Sequence, residues 1–319
     1  MNATKAAKYV GYFDKEVLER KENYASLVNT YYELVTDFYE FGWGRSFHFA
    51  PRRRGESFKD SLTRMERYLA QKLGLAQHSV VLDAGCGVGG PMREIARYTG
   101  ARIVGININA DQVTRARKYN RAAQLDGQCS VVHGDFMELP VEDASFDAAF
   151  AIEATCHAPD RTASFSEIAR ALRPGGLFAV QEWCMTDAYE PGNPLHEQLK
   201  HDIEVGDALP ELTGTNAVDE AFIAAGFEIL MRRDLRQDSD PELPWYHPLT
   251  GRELSLSGLP RTQFGRKLTN RFVHLLEKLR LAPKGTKAVS DMLMRTSDAL
   301  VAAGELGIFT PMYFVLARR

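Results

Sequence analysis

The stretch Asp83-Ala84-Gly85-Cys86-Gly87-Val88-Gly89-Gly90 places one carboxylate ahead of a run of glycines. Such spacing lets a backbone approach a nucleotide closely. Two readings fit. As GxGxxG (Gly85, Gly87, Gly90) it cradles a dinucleotide pyrophosphate. As DxGxGxG (Asp83, Gly85, Gly87, Gly89) it is the loop that holds S-adenosyl-L-methionine. Asp83 would repel a pyrophosphate and suits the cationic amino group of a methionine-type ligand. Asn107, at the end of the next apolar run, can hydrogen-bond ribose hydroxyls without charge, where both ligand classes usually meet Asp or Glu. Gln112, shortly after it, is a further candidate for the same ligand. In His133-Gly134-Asp135-Phe136, the carboxylate can take an adenine amino group and the ring can cover the base. Each residue alone has an ordinary reading as loop cap, turn or core. Their order along the chain points to an adenosyl ligand.

Holding such a set requires alternating strands and helices. Residues 80–83 read as a short apolar strand feeding a helix over 91–98, with Pro91 in its first turn. A strand over 102–107, a helix near 111–124, and strands over 129–133 and 146–152 follow. A helix over 162–172 stops before Pro174-Gly175-Gly176, and a strand begins at 177–183. This rhythm predicts an α/β fold with a parallel, doubly wound sheet. Helices are expected over 194–204 and 216–225, a strand over 227–234, and a Pro-, Asp- and Ser-rich loop over 237–258. Two late helices, 269–279 and 287–303, precede a strand over 308–316 that would insert into the sheet. Upstream of a helix over 61–73, Tyr24, Leu27, Tyr31, Val35 and Phe38 keep helical spacing. Gly42 and Gly44 end it, and an irregular loop carries Trp43, Phe47, His48 and Phe49.

The 319 residues hold 39 basic and 42 acidic side chains, a net charge of −3. That balance argues against a nucleic-acid partner. With 45% hydrophobic and 25% charged residues, the chain is neither disordered, collagenous nor a coiled coil. Met312 to Ala317 is its longest apolar run, far short of the roughly 20 residues that cross a bilayer, so no transmembrane segment is expected. Residues 1–15 lack the apolar centre of a signal peptide. Cys86, Cys129, Cys156 and Cys184 form no CxxC pair and read as reduced thiols in a cytosol-facing protein. No metal motif is present.

Several further segments resemble the sterol 24-C-methyltransferases. They are Phe38-Tyr39-Glu40-Phe41-Gly42-Trp43-Gly44-Arg45-Ser46-Phe47-His48-Phe49, the glycine loop extended from Leu82 to Pro91, Ile152-Glu153-Ala154-Thr155-Cys156-His157-Ala158-Pro159, and Glu182-Trp183-Cys184-Met185-Thr186-Asp187-Ala188-Tyr189. Leu281-Ala282-Pro283-Lys284-Gly285 and Ile308-Phe309-Thr310-Pro311-Met312-Tyr313 are similar to that family's C-terminal part. The resemblance spans about Tyr31 to Arg319. The aromatic segment and 152–159 are more specific than the glycine loop. It implies a class I methyltransferase with a seven-stranded, doubly wound sheet. Residues 1–60 would form an N-terminal helical and aromatic lid and 61–235 the adenosylmethionine-binding core. Residues 236–319 would be the C-terminal sterol methyltransferase portion. Phe41 stands where the family more often has Tyr or Trp, and Asn107-Ile108-Asn109 replaces a common triple Asn. No counterpart of the membrane-anchor segment that some plant members carry is expected in the N-terminal residues.

The activity so implied is methyl transfer from S-adenosyl-L-methionine to C24 of a Δ24 sterol side chain, through a carbocation, a hydride shift and proton loss. Cofactor contacts would fall to Asp83, Gly85, Gly87, Gly89, Asn107, Gln112, Asp135 and Phe136. Aromatic faces attract a carbocation without trapping it covalently, which gives Tyr39, Phe41, Trp43, Phe47 and Phe49 a purpose beyond packing a lid. Glu40, His48, Glu153 and His157 are the candidate bases. Packing, capping or ion pairing remain the plain alternatives for each. Peripheral contact with the endoplasmic reticulum membrane and a homo-oligomer are expected as partners' settings. A quinone, tocopherol or amine methyltransferase, or a non-catalytic lipid-binding protein on the same fold, are the rival functions.

Overall fold

The structure is a computed structural model that describes residues 3–250, 263–279, 281 and 285–319. Part of the expected loop over 237–258 and most of the Leu281–Gly285 motif lie outside them. The elements run α1 (Ala3–Val10), α2 (Val17–Glu22), α3 (Tyr24–Gly42), α4 (Phe58–Lys72), β1 (Val80–Ala84), α5 (Gly90–Thr99), β2 (Arg102–Asn107), α6 (Ala110–Ala122), β3 (Cys129–His133) and β4 (Phe146–Ile152). Then come α7 (Arg161–Ala171), β5 (Leu172–Met185), α8 (Pro194–Asp207), α9 (Thr215–Ala224), β6 (Glu228–Asp234), α10 (His247–Thr250), α11 (Gln263–Lys278), α12 (Thr286–Glu305) and β7 (Phe309–Arg318).

The seven strands form one sheet in the order β3-β2-β1-β4-β5-β7-β6. The pairs from β3 to β5 are parallel, as their apolar runs predict. β7 departs from that rule: it inserts between β5 and β6 and is antiparallel to both. The C-terminal strand thus closes the sheet from its middle and ties α12 to the core. β5 starts earlier than the sequence suggests. Leu172 pairs with Phe146 before Pro174-Gly175-Gly176, and the register slips there before regular pairing resumes at Leu177. The Pro-Gly-Gly run is therefore an irregularity inside a strand rather than the gap before one.

Buried side chains cover both faces of the sheet. A third cluster packs Tyr9, Leu27, Tyr31 and Leu34 of the N-terminal helices against Ala208, Val289 and Met292. α8 and α12 meet closely at Gly206: a Cβ there would lie 1.7 Å from Thr296 Oγ1. The strand order reverses at β1, with β2 and β3 added on one side and β4 and β5 on the other, and ligands of open α/β sheets bind outside the carboxyl ends at such a point.

Candidate active site

Two cavities open at that edge. The first gathers Asp83, Gly85, Gly87, Asn107, Gln112, Asp135 and Phe136. Its space is about 790 Å³ when counted to its open mouth. Asp83 is buried at the end of β1, and its Oδ2 has no hydrogen-bond partner. Burial pushes its carboxyl well above the ordinary value, so a cationic ligand group there would restore the charged form. Gly85 has φ +90°, and a Cβ on it would meet Ala154 Cβ at 2.4 Å. The backbone therefore stays bare where a ligand would lie. Asn107 Nδ2 donates to Gln112 Oε1 at 2.8 Å, and Gln112 Nε2 donates to Thr36 Oγ1 at 3.1 Å. That chain fastens α3 to the wall of this cavity. Asp135 receives Met137 N at 2.9 Å and a hydrogen bond from the Tyr24 hydroxyl of α3. A carboxylate in the cleft wall with one oxygen unpartnered, a side-chain-free loop and an acidic residue beside an aromatic ring fit adenosylmethionine.

The second cavity is larger, about 1230 Å³ when counted to its open mouth. Tyr39, Phe41, Trp43, Phe47 and Phe49 line it with Trp183, Leu209, Leu249 and the α12 residues Leu293, Met294 and Leu300. Phe41 sits at its rim, 67% exposed. Trp43 Nε1 donates to the His48 carbonyl at 2.9 Å, and its ring stands edge-on to Phe49 and Phe58 at 5.0 Å each. The Tyr39 ring lies 5.3 Å from that of Phe47. The two cavities share a wall made of Tyr32, Phe47, His48, Glu153 and His157.

That wall is tightly wired. Glu153 follows β4 in the left-handed region, φ +51°, a conformation that non-glycine residues rarely keep without external restraint. Its Oε1 accepts from Phe49 N at 2.6 Å and from Gln181 Nε2 at 2.7 Å, and its Oε2 from Trp183 Nε1 at 2.6 Å. Burial lifts its carboxyl to about 8 against those favourable contacts. Both ring nitrogens of His48 face acceptors, the Phe49 carbonyl at 2.8 Å and Glu66 at 3.2 Å. Burial pushes this imidazole down, but the Glu66 carboxylate outweighs it and raises the net value. His157 behaves oppositely: burial drops it to about 4. Its neutral ring donates from Nδ1 to the Ala208 carbonyl, 3.2 Å, and accepts at Nε2 from the Tyr32 hydroxyl, 3.0 Å.

Two expected site residues stand apart. Glu40 lines neither cavity, because Arg115 Nη1 at 2.6 Å and the Tyr119 hydroxyl at 2.5 Å hold its carboxylate against α6. Arg45 lies farther off, at 4.0 Å. Gly89 also lines neither cavity and serves as the N-cap of α5. Asp187 is exposed beyond β5. All four cysteines are buried thiols.

Residues 82–180 match the methyltransferase domain family, and residues 256–319 match the sterol methyltransferase C-terminal family. A cycloartenol-C-24-methyltransferase of Arabidopsis thaliana is 50% identical over 301 residues, covering 94% of this chain and 89% of that protein. The chain belongs to the sterol 24-C-methyltransferase family. A sterol 24-C-methyltransferase of Saccharomyces cerevisiae is 45% identical and covers 97% of this chain and 82% of its own. A cyclopropane synthase from Mycobacterium tuberculosis shares the fold, with a TM-score of 0.69 at 16% identity over 91% of this chain and 95% of that one. Members of this family are adenosylmethionine-dependent methyltransferases, and the glycine loop sits inside the matched methyltransferase domain.

Sequence reasoning missed Tyr24, the α12 wall and Asp207. Asp207 lines the second cavity, at the last residue of α8. The helix was expected to end at Glu204, which left Asp207 in an unassigned stretch. Gly206 was the available signal, since a glycine inside a helix marks a close approach.

Proposed function

We propose that this chain methylates C24 of a Δ24 sterol. The observation that carries the reading is the wall shared by a polar, glycine-lined cavity and a large aromatic one. Adenosylmethionine, when bound, supplies an electrophilic methyl group on a cationic sulfur. Asp83 takes the methionine ammonium, the bare backbone at Gly85 and Gly87 lets the ligand lie close, and Asp135 and Phe136 receive the adenine once the Tyr24 hydroxyl gives way. An alkene cannot be activated by deprotonation, so the protein's task is alignment. Residues 61–235 carry the glycine loop and strand ends for the donor and lend Glu153, Trp183 and Asp207 to the acceptor cavity, which 1–60 and 236–319 complete. The rings of Tyr39, Trp43, Phe47 and Phe49 attract the side-chain cation without bonding to it. Three donors hold both Glu153 oxygens and restrain them from capturing that cation. Radiolabelled adenosylmethionine offered with a sterol panel, a quinone and an amine tests this. Label confined to Δ24 sterols supports it, and label in the quinone or amine refutes it.

Among the described residues no helix is long and apolar enough to cross a membrane, yet the acceptor must come from a bilayer. We infer that α11 meets an anionic membrane surface, such as the cytosolic leaflet of the endoplasmic reticulum. Leu268, Phe272 and Leu275, with Leu279 just past the helix, fall on one stripe and are each at least half exposed. Exposed Lys267, Arg271 and Lys278 flank them, the pattern of an interfacial helix. Asn270 and His274 turn inward to Asp291 of α12, and Thr269 belongs to the aromatic cavity wall. Flotation with anionic vesicles should be lost in a Phe272→Ser/Leu275→Ser double variant. A concentration-dependent dimer that this variant abolishes would instead assign the face to a second copy.

A further inference from the structure

Ending the methylation demands a base, and the hydrogen bonds of the aromatic cavity narrow the choice. Glu153 has both oxygens engaged by three donors. His48 presents hydrogen, not a lone pair, to its two acceptors. His157 spends its one acceptor nitrogen on Tyr32. Glu40 faces α6. Asp207 differs. Its Oδ1 accepts from the Tyr39 hydroxyl at 2.8 Å and from the Tyr31 hydroxyl at 3.3 Å. Its Oδ2 has no partner and is covered by its neighbours, so it reaches the cavity by a small turn of the side chain. The residue is 8% exposed and lines the cavity beside Tyr39 and His157.

The two tyrosine hydroxyls need an acceptor there, but an amide would serve them as well as a carboxylate. A negative charge on the last residue of α8 opposes the helix dipole, and an unmade hydrogen bond at a buried oxygen is unfavourable. Such a residue is expensive to keep for structure and suited to chemistry. Its setting is also built rather than incidental. Gly206 lets α8 press on α12, Ala208 turns the chain through φ +52°, and the Tyr9 hydroxyl receives Ala208 N at 3.1 Å.

We propose that Asp207 Oδ2 is the base that takes the final proton from the methylated side chain. A C–H bond next to the cationic carbon breaks, its electron pair closes a new C=C bond, and the proton forms an O–H bond on Oδ2. The side chain leaves as a neutral alkene, and the carboxyl returns its proton to water when the cavity opens. The proposal rests on the sterol-methylation reading. Burial lifts this carboxyl to about 7, with the two tyrosines pulling the other way, close to the working range of a general base. Around it, Tyr31, Tyr32 and Tyr39 of α3 and Tyr9 of α1 are held above the ordinary phenol value by burial. Burial likewise raises Cys156 and lowers His157. These neighbours stay neutral where Asp207 ionises.

The test uses Asp207→Asn and Asp207→Glu in the full chain, each checked for thermal unfolding and adenosylmethionine affinity before single-turnover assay on a Δ24 sterol. Asparagine keeps the acceptor for Tyr39 but removes the base. Turnover should fall by roughly a hundredfold or more with cofactor affinity within about twofold. The uncollected cation should then be diverted to a hydrated alcohol or to alkenes formed by loss of other protons. Glutamate should recover at least about tenfold over asparagine. Wild-type rate and product ratio in Asp207→Asn overturn the proposal, as do equal losses in both variants with lowered melting temperature. Should Asp207→Asn not fold, the Asp207→Glu product ratio decides: a shift from wild type supports the role, and an unchanged ratio refutes it. A wild-type chain that methylates no Δ24 sterol overturns the underlying reading, and this proposal with it.

Discussion

The donor cavity is drawn from the ends of β1, β2 and β3, between Asp83 and Phe136, whereas the aromatic cavity is assembled from α3, the loop after it, β5, α8 and α12. In the first, the residues from Asp83 to Phe136 sit on or beside strand ends that the sheet fixes, and α3 and the loop after it complete the wall. In the second, α3 with its following loop, β5, α8 and α12 are far apart in sequence, and their spacing depends on how helices pack. The donor side is therefore tolerant of changes elsewhere, and the acceptor side depends on distant packing. Glu153 and His157 belong to both.

The largest effect should come from breaking the packing. Gly206→Val would force a side chain into Thr296, since even a Cβ lies 1.7 Å from its oxygen. Overpacking of this kind destabilises by about 1–3 kcal/mol. Sterol turnover should be lost and melting temperature lowered, with adenosylmethionine affinity in the folded fraction changed by no more than a few-fold by calorimetry. Equal loss of cofactor binding would dissolve the contrast between the two sides.

Next is Asp83→Ala. A charge-assisted hydrogen bond is worth about 1.5–3 kcal/mol, so adenosylmethionine affinity should fall tenfold or more in the same titration. Unchanged affinity in a folded variant would remove Asp83 from the donor site.

Tyr39→Leu and Trp43→Leu probe the acceptor side more gently. Each keeps apolar bulk and removes a ring face worth about 0.5–2 kcal/mol to a cation. kcat should fall from a few-fold to about thirtyfold, and the product ratio should shift while cofactor affinity holds. A lowered melting temperature with normal kcat in the folded fraction would make these rings packing alone.

The smallest effect is on stability against pH. Glu153 is raised to about 8 in the fold, above its unfolded value near 4.3. Between those limits the folded state binds a proton that the unfolded chain has released, so this group's contribution falls as pH rises and levels off above about 8. Glu153→Gln should flatten that part of the melting-temperature profile. A profile parallel to wild type from pH 5 to 8 would mean the carboxylate is ionised throughout.

The donor half was legible in sequence because its signals are local. Asp83, Asn107 and Asp135 each follow a short apolar strand, and the strand pattern alone places them at one edge. The antiparallel entry of β7 was foreseen as an insertion, but its direction was not, since a strand's apolar run carries no sense of orientation. Glu40 shows the limit of motif reasoning: it lies in the most specific segment, yet helical phase turns it toward Arg115 and Tyr119. Asp207 shows the converse. Its surroundings, Tyr31, Tyr39 and Tyr9, are remote in sequence, so only tertiary packing reveals a carboxylate with one oxygen unpartnered.

The central claim is that one cavity presents a methyl donor to an alkene held in the other. It is tested most directly by offering the chain trideuteromethyl adenosylmethionine with a Δ24 sterol and its side-chain-saturated counterpart in equal amounts, and weighing both products. The two acceptors share a nucleus and differ at the double bond alone. Deuterium found in the Δ24 sterol, at C24, and absent from the saturated one is the predicted result. Equal labelling of both, or label on the nucleus, would contradict it.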